Sequence, residues 1–281
     1  MKTRAKIVLA RYAYSVVSGA RRIVGLGDKC RVVRHGIVYE LDLSEGIDFS
    51  IFLLGSFELS TARALQRLIR PGMTVLDIGA NIGAHTPPMA ELVGPSGKVL
   101  AFEPTTYAFA KLGRNLALNP DLAGRVRAFQ YFLASTPGAA VPEAIYSSWP
   151  LPSTAGAHPE HLGQPKDTTA AETHTLDEVL AREGIANIDL VKIDVDGFEC
   201  EVLSGASTTL RSDRPIFVME LAPYVLRERG TSLDALLGLL LPLGYRFLDE
   251  RTEAPLPESA AELEQTIAFG AGINTIARAR G

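Results

Sequence analysis

The sequence predicts an α/β fold in which a doubly wound, mostly parallel sheet carries helices on both faces. Three observations lead there. Short apolar runs with strand character alternate with helical periods from residue 74 onward. The string VLDIGANIG, residues 75–83, joins the first of these strands to a helix through glycines two and six positions after an aspartate. A second strand ends in AFEP, residues 101–104, and places an acid twenty residues after Gly83. With 281 residues, 47% hydrophobic and 21% charged, the chain can bury a full core, which excludes disorder as its dominant state.

The elements follow in order. Residues 1–22 are basic with apolar stretches at 7–10 and 13–17, interrupted by Arg11. These runs are too short for a signal-peptide core or for the ~20 apolar residues of a membrane span, so a retained, cytoplasmic chain is expected. Nine Lys and Arg against Asp28 alone leave +8 on the first 34 residues, and a net charge of −4 leaves −12 for the rest. Such a basic helix is suited to peripheral contact with anionic lipid or a polyanionic substrate, although a solvated helix face is the simpler reading. Apolar positions in 32–43 flank His35-Gly36 and predict a hairpin. Residues 1–59 are therefore read as a basic helix and hairpin appendage, and residues 60–281 as the main domain.

In that domain Ser60 is placed to cap a helix over 61–69, stopped by Pro71-Gly72. Strands are expected at 74–76, 98–102, 126–133, 188–193, 216–219, 245–248 and 266–276, the last broken by Gly270 and Gly272. Helices are expected at 84–92, 107–118, 199–210 and 233–241. Residues 136–173, rich in Pro and Gly around an isolated Trp149, read as a loop insertion that recognises an acceptor. The acidic balance argues against a surface built to embrace nucleic-acid phosphates, and no nucleic-acid partner is expected. Two cysteines, Cys30 and Cys200, are too few for a disulfide framework and suit a reducing compartment.

In a doubly wound sheet ligands sit at the carboxyl ends of the strands, where Gly79 and Gly83 let the backbone approach without a Cβ clash. A dinucleotide fingerprint would read GxGxxG. Here Asn81 stands where a glycine is usual, which weakens a nicotinamide reading. Asp77 at the strand end would repel a pyrophosphate and attract an ammonium, a group that S-adenosylmethionine carries. Glu103 can accept both ribose hydroxyls of such a cofactor.

At this point the chain resembles the FkbM-type family of class I S-adenosylmethionine-dependent methyltransferases. The resemblance rests on IDFSIFLLGSFE (47–58), GMTVLDIGANIGAHT (72–86), GKVLAFEPTTYAFAKLGRNLALN (97–119), HTLDEVL (174–180) and IDLVKIDVDGFECEVLSGA (188–206). It implies a seven-stranded Rossmann-like sheet and O-methyl transfer to a sugar, glycan or small natural product. Two departures stand out. Asp196 replaces the usual Glu of the turn after the fourth strand, and Pro87-Pro88 opens the first helix, which the first helical turn tolerates.

A hydroxyl nucleophile needs a proton acceptor, and Asp194, at the end of the 188–193 strand, is the first choice, with His174 as the alternative base. Asp194, Asp196 and Glu199 share a turn and are candidate oxygen ligands for Mg²⁺, although acids also simply favour a helix N-terminus. His158 and His161 lie in the insertion. His85 could meet a cofactor carboxylate, Phe57-Glu58 resembles the family's aromatic-Glu pair that closes over the methionine end, and Ser135 is a candidate adenine contact. Glu220 is an outer acid. Lys192 receives no role, being expected to alternate away from Asp194. Two competing readings remain open: an S-adenosylmethionine-binding scaffold without transfer activity, and a nucleobase N-methyltransferase, which would want an aromatic platform nearer than Phe198. The oligomeric state is not legible.

Overall fold

The computed structural model describes residues 3–152 and 163–280. In chain order it begins with α1 (Thr3–Ile23), the hairpin β1 (Lys29–Arg34) and β2 (Ile37–Asp42), then α2 (Gly46–Leu54) and α3 (Leu59–Leu68). There follow β3 (Thr74–Ile78), α4 (Thr86–Leu92), β4 (Lys98–Phe102), α5 (Thr106–Ala117), α6 (Pro120–Ala123) and β5 (Val126–Phe129). Four short strands come next, β6 (Tyr131–Leu133), β7 (Ala144–Ser148), β8 (Gln164–Asp167) and β9 (Glu172–His174), and then α7 (Leu176–Glu183) and β10 (Leu190–Ile193). The remainder is α8 (Glu199–Ser204), α9 (Ser207–Ser212), β11 (Ile216–Leu221), α10 (Pro223–Glu228), α11 (Leu233–Leu240), β12 (Tyr245–Asp249), α12 (Ala260–Thr266) and β13 (Ile273–Ala279).

Seven strands form the central sheet in the order β12-β13-β11-β10-β3-β4-β5, all parallel except β13, which runs antiparallel to both neighbours. The doubly wound, mostly parallel sheet is therefore as expected. Its central strands are apolar on both faces, with all four residues of β10 buried, because helices cover each side. Chain order reverses between β3 and β10, and that reversal opens a crevice at the carboxyl ends of these two strands.

Several boundaries move, each for a local reason. The helix placed after Ser60 begins at Leu59, with Glu58 before it in a left-handed conformation, φ 46°. The strand expected over 126–133 changes partner at Gln130: β5 stays in the sheet, and β6 leaves it to pair in parallel with β9. The helix expected over 199–210 breaks at Gly205, where a Cβ would lie 2.1 Å from the Ala134 carbonyl oxygen. The last strand starts beyond its glycines rather than spanning them, and 260–266 is helical. Helices α2 and α10 were not anticipated. Pro87 and Pro88 lie in the first turn of α4, where their missing N–H groups leave no bond unmade.

The 136–173 segment is not structureless, since β7 and β8 form an antiparallel hairpin within it. Its base is tied to the appendage. Gly46 N–H donates to the Trp149 carbonyl at 2.9 Å, Leu151 N–H to the Ser44 carbonyl at 2.7 Å, and Lys166 pairs with Glu45 at 3.5 Å. His158 and His161 lie outside the described residues.

The appendage also shares the main core. Asn115 of α5 and Asn119, which precedes α6, bond the β2 edge, accepting from the N–H groups of Glu40 (2.8 Å) and Val38 (2.9 Å). These two amides serve that edge as a neighbouring strand would. The buried Asp48 and Lys111 form an ion pair between α2 and α5. Ile82, Ala84 and Ala108 pack in one cluster with Leu41, Leu43 and Phe49.

Candidate active site

The glycine loop after β3 is built by backbone demands. Gly79 (φ 76°) and Gly83 (φ 84°) are left-handed, and a Cβ at Gly79 would lie 1.9 Å from the Asp194 carbonyl oxygen. Only glycine lets the loop and the end of β10 come this close. Asn81 is also left-handed, φ 49°, and its N–H donates to Glu103 Oε2 at 2.9 Å. Thr105 gives Glu103 Oε1 two more bonds, from its N–H (2.9 Å) and its hydroxyl (2.5 Å). Glu103 is thus buried and already accepts three of the roughly four hydrogen bonds a carboxylate can take. Burial outweighs these bonds and raises its pKa.

Asp77 is fully buried and faces a cation of the chain itself. Lys192 Nζ lies 3.5 Å from Asp77 Oδ1 and 3.8 Å from Asp194 Oδ2, and donates to the Gly79 carbonyl at 3.0 Å. Thr86 donates to the other Asp77 oxygen at 2.6 Å. Lys192 therefore shares a side with Asp194, as a strand period of two requires, and the expectation that it points away is corrected. Although burial alone would lower the Lys192 pKa, Asp77, Asp194 and Glu58 hold it above the ordinary value. Side-chain exposure separates the three: 0% for Asp77, 5% for Lys192 and 34% for Asp194. Asp194 alone opens to the crevice.

More acids gather around this pair. Burial pushes Glu58 up to about 7, with the nearby Asp194 adding to the shift, and raises Glu220 well above its usual range with Asp194 and Glu58 contributing. Glu199, also raised to about 7 by burial, accepts the Val195 and Gly197 N–H groups at 3.3 and 3.4 Å. Asp196, left-handed at φ 49°, is raised by burial and by Asp194. Among the described residues no three His, Cys, Asp or Glu side chains converge as a metal site, so Asp194, Asp196 and Glu199 are not arranged as the cation ligands considered from sequence.

The remaining candidates scatter. His85 is buried with its Nε2 unpartnered among the described residues, and burial lowers its pKa to about 4, so it is neutral at pH 7. Phe57 lies between His85 (6.2 Å between ring centroids) and Trp149 (5.8 Å), an aromatic strip beside Glu58. His174 ends β9, where it contacts Glu172 at 3.1 Å and stands edge-on to Tyr131 at 4.6 Å. Ser135 follows β6 and donates its N–H to Glu201 at 3.2 Å. Phe198 stands edge-on to Phe132 at 5.1 Å under the Arg229 guanidinium at 4.4 Å, a packed ring rather than an open platform. Sequence reasoning missed Lys192 and Glu250. The first was detectable as a lysine inside an otherwise apolar strand; the second stands in no motif.

Comparison with known proteins bears on this arrangement. The Methyltransferase FkbM domain matches residues 77–247, more than half of the chain. The chain belongs to the FkbM methyltransferase domain family. The FkbM match runs from Asp77 through the glycine loop, Glu103 and Asp194 to β12, and leaves Glu58, Glu250 and Asn274 outside it. The chain is 34% identical over 158 residues to the methyltransferase sdnD of Sordaria araneosa, covering 47% of this chain and 59% of that protein. It is 36% identical over 159 residues to the 31-O-demethyl-FK506 methyltransferase FkbM of Streptomyces tacrolimicus, covering 49% and 60%. It is 31% identical over 136 residues to the hexuronic acid methyltransferase AglP of Haloferax volcanii, covering 48% and 51%. The matched segments thus span half to three-fifths of these FkbM-type relatives.

Proposed function

We propose that this chain transfers a methyl group from S-adenosylmethionine to a hydroxyl of a sugar, glycan or small natural product. The observation that carries the reading is the buried Asp77–Lys192–Asp194 chain across the reversal point of the sheet, with only Asp194 exposed to an incoming acceptor. The relatives named for a hexuronic acid and for 31-O-demethyl-FK506 support that acceptor class.

The residues present fit the cofactor. Glu103 and Asp77 stand at the carboxyl ends of neighbouring strands beside the glycine loop, and His85 Nε2 is a buried polar atom without a partner among the described residues. Glu103 has capacity for one ribose hydroxyl as it stands, rather than the two expected from sequence, unless Asn81 or Thr105 gives way. Bound cofactor would supply a methyl carbon whose bond to sulfur breaks with the electron pair kept by sulfur. Asp194 receives the hydroxyl proton as the acceptor oxygen bonds to that carbon. Lys192 holds the Asp194 carboxylate in place and neutralises Asp77 beneath it. Neutral His85 is placed to donate to the methionine carboxylate, and the Phe57 and Trp149 rings offer apolar faces to a sugar. Ser135 is retained as an adenine contact, and His174 as the alternative base.

Two further readings belong here. The 1–59 appendage acts as one wall of the acceptor side, because its base is bonded to the β7–β8 insertion. Helix α1 makes peripheral contact with an anionic lipid surface, because Leu9, Tyr12, Val16 and Ile23 are exposed on one stripe of a helix containing no acid. Among the described residues no helix is long and apolar enough to cross a membrane.

The test is calorimetric titration with S-adenosylhomocysteine, alongside NADH, on wild type and Glu103→Ala. Micromolar binding that the substitution weakens, without an NADH signal, supports the cofactor. Asp194→Asn should then retain that binding and lose methyl transfer to a glycan panel by roughly 10²-fold or more. Transfer unchanged in Asp194→Asn would remove the aspartate from the mechanism.

A further inference from the structure

Beside Asp194 lies a cleft lined by Glu58, Thr61, Lys192, Glu220, Glu250 and Asn274. It lies where α3, β11, the residue after β12, and β13 meet. Ionised together, these acids would not be balanced: burial therefore keeps a proton on Glu220 and part of one on Glu58, and a cation entering the cleft would release both. Among the described residues Lys192 is the one cation in the lining, and its contacts are directed at the Gly79 carbonyl, Asp77 and Asp194. An ammonium has three protons to give, so although Glu58 feels the Lys192 charge, Glu58, Glu220 and Glu250 receive no hydrogen bond from it. Glu58 receives a hydroxyl bond from Thr61 at 3.4 Å, and Thr61 in turn accepts from Asn274 Nδ2 at 3.0 Å.

Glu250 is the decisive member. It is 1% exposed, yet its Oε1 has no hydrogen-bond partner among the described residues, although the side chain lines the cleft. Its backbone is held from both sides, with the N–H donating to the Asn274 carbonyl at 3.3 Å and the carbonyl accepting from Arg67 at 2.6 Å. The backbone that carries the carboxylate is therefore held in position. A buried, unpaired carboxylate is costly to hold, by far more than a buried hydroxyl. The absent Cβ of Gly272 would lie 2.1 Å from Glu220 Oε1, so a glycine makes the room in which Glu220 sits.

We infer that this cleft is an amine-recognition subsite, and that the acceptor carries a protonated amino group beside the hydroxyl that is methylated, as an amino sugar does. The inference rests on the proposed methyl transfer for its reference to an acceptor. Neutral hydroxyls would supply donors to three carboxylates but no charge. An ammonium supplies three donors and the missing cation together. A uronate would add another acid to a cleft whose described cation, Lys192, is already engaged. The walls supplying Glu58, Glu250 and Asn274 lie outside the FkbM-matched segment, so the subsite belongs to the part of this chain in which it can differ from its relatives.

The experiment titrates the full chain calorimetrically at pH 7 with methyl β-D-glucosaminide, methyl β-D-glucoside and methyl β-D-glucuronide, with and without S-adenosylhomocysteine. The expected result is glucosaminide binding about tenfold or more tighter than glucoside, with no glucuronide signal. The near-isosteric Glu250→Gln should lose most of that preference while its S-adenosylhomocysteine affinity stays within about twofold of wild type. Equal binding of the three sugars, or preference for the glucuronide, overturns the inference. So does loss of S-adenosylhomocysteine affinity in Glu250→Gln, which would assign the cleft to the ammonium of the cofactor. If wild type binds no S-adenosylhomocysteine, the methyl-transfer reading fails, and the sugar titration without it still decides the subsite.

Discussion

Gly79 joins two functions in one backbone position. Its left-handed φ turns the loop out of β3, and its missing side chain admits the Asp194 carbonyl. Gly79→Ala should destabilise the fold by about 2 kcal/mol, read by urea unfolding, and abolish S-adenosylhomocysteine binding. An unchanged midpoint would show that the loop and β10 can part without loss. Lys192 makes a second test, because it is the buried countercharge of Asp77. Lys192→Met should lose about 3–5 kcal/mol, and adding Asp77→Asn should restore part of it, since removing one partner strands the other. Additive losses would show that the two do not interact. At this scale the sequence is readable near the ends of strands: Asp77, Glu103 and Asp194 all stand at the carboxyl ends of interior strands, and their types already suggest a nucleotide-like ligand. Lys192 was misread because its relation to Asp194 was judged by alternation, when two residues apart in a strand share a side.

The turn from β10 into α8 concentrates raised acids. Glu199 and Glu58 both titrate near 7 in the folded chain, against an ordinary value of about 4.5. An acid whose folded pKa lies above its unfolded value binds its proton more tightly when folded, so it favours folding at low pH, and that contribution falls as pH rises from about 4.5 through 7. His85, lowered to about 4, works the other way, but only below about 6.5. From pH 6.5 to 8, therefore, Tm should decline, and Glu199→Gln should flatten the decline; a Tm that rises over this range in wild type would contradict the burial of these acids. Elements were legible where period and glycine punctuation agree, as in β3, β4, α5 and α11. They were not legible where a strand changes partner, as at Gln130, or where a glycine answers a distant group, as Gly205 answers the Ala134 carbonyl and Gly272 the Glu220 carboxylate. Such demands come from packing between segments far apart in sequence, and local propensity carries no trace of them.

Across the whole molecule the charge is divided, with +8 on the first 34 residues and −12 on the rest of a chain of net −4. The carboxylate-lined cleft and the basic helix belong to these two halves. The sequence shows that division but not which side of α1 is free. Tyr14 and Ser18 turn inward to Asp28 at 2.9 and 2.8 Å, and the opposite stripe, with Tyr12 at 72% and Ile23 at 87% exposure, meets solvent. An exposed apolar stripe on a cationic helix is the pattern of an interfacial segment, and the acidic remainder would be repelled from the same anionic surface. The full chain should then co-sediment with vesicles containing phosphatidylglycerol and not with phosphatidylcholine alone, and salt should weaken the association. Replacing Leu9, Tyr12 and Val16 together by serine should abolish sedimentation while S-adenosylhomocysteine affinity is unchanged, because none of the three lines the cleft or the glycine loop. Sedimentation that survives the triple replacement would mean that charge alone holds the protein to the vesicle, and the apolar stripe would need another partner.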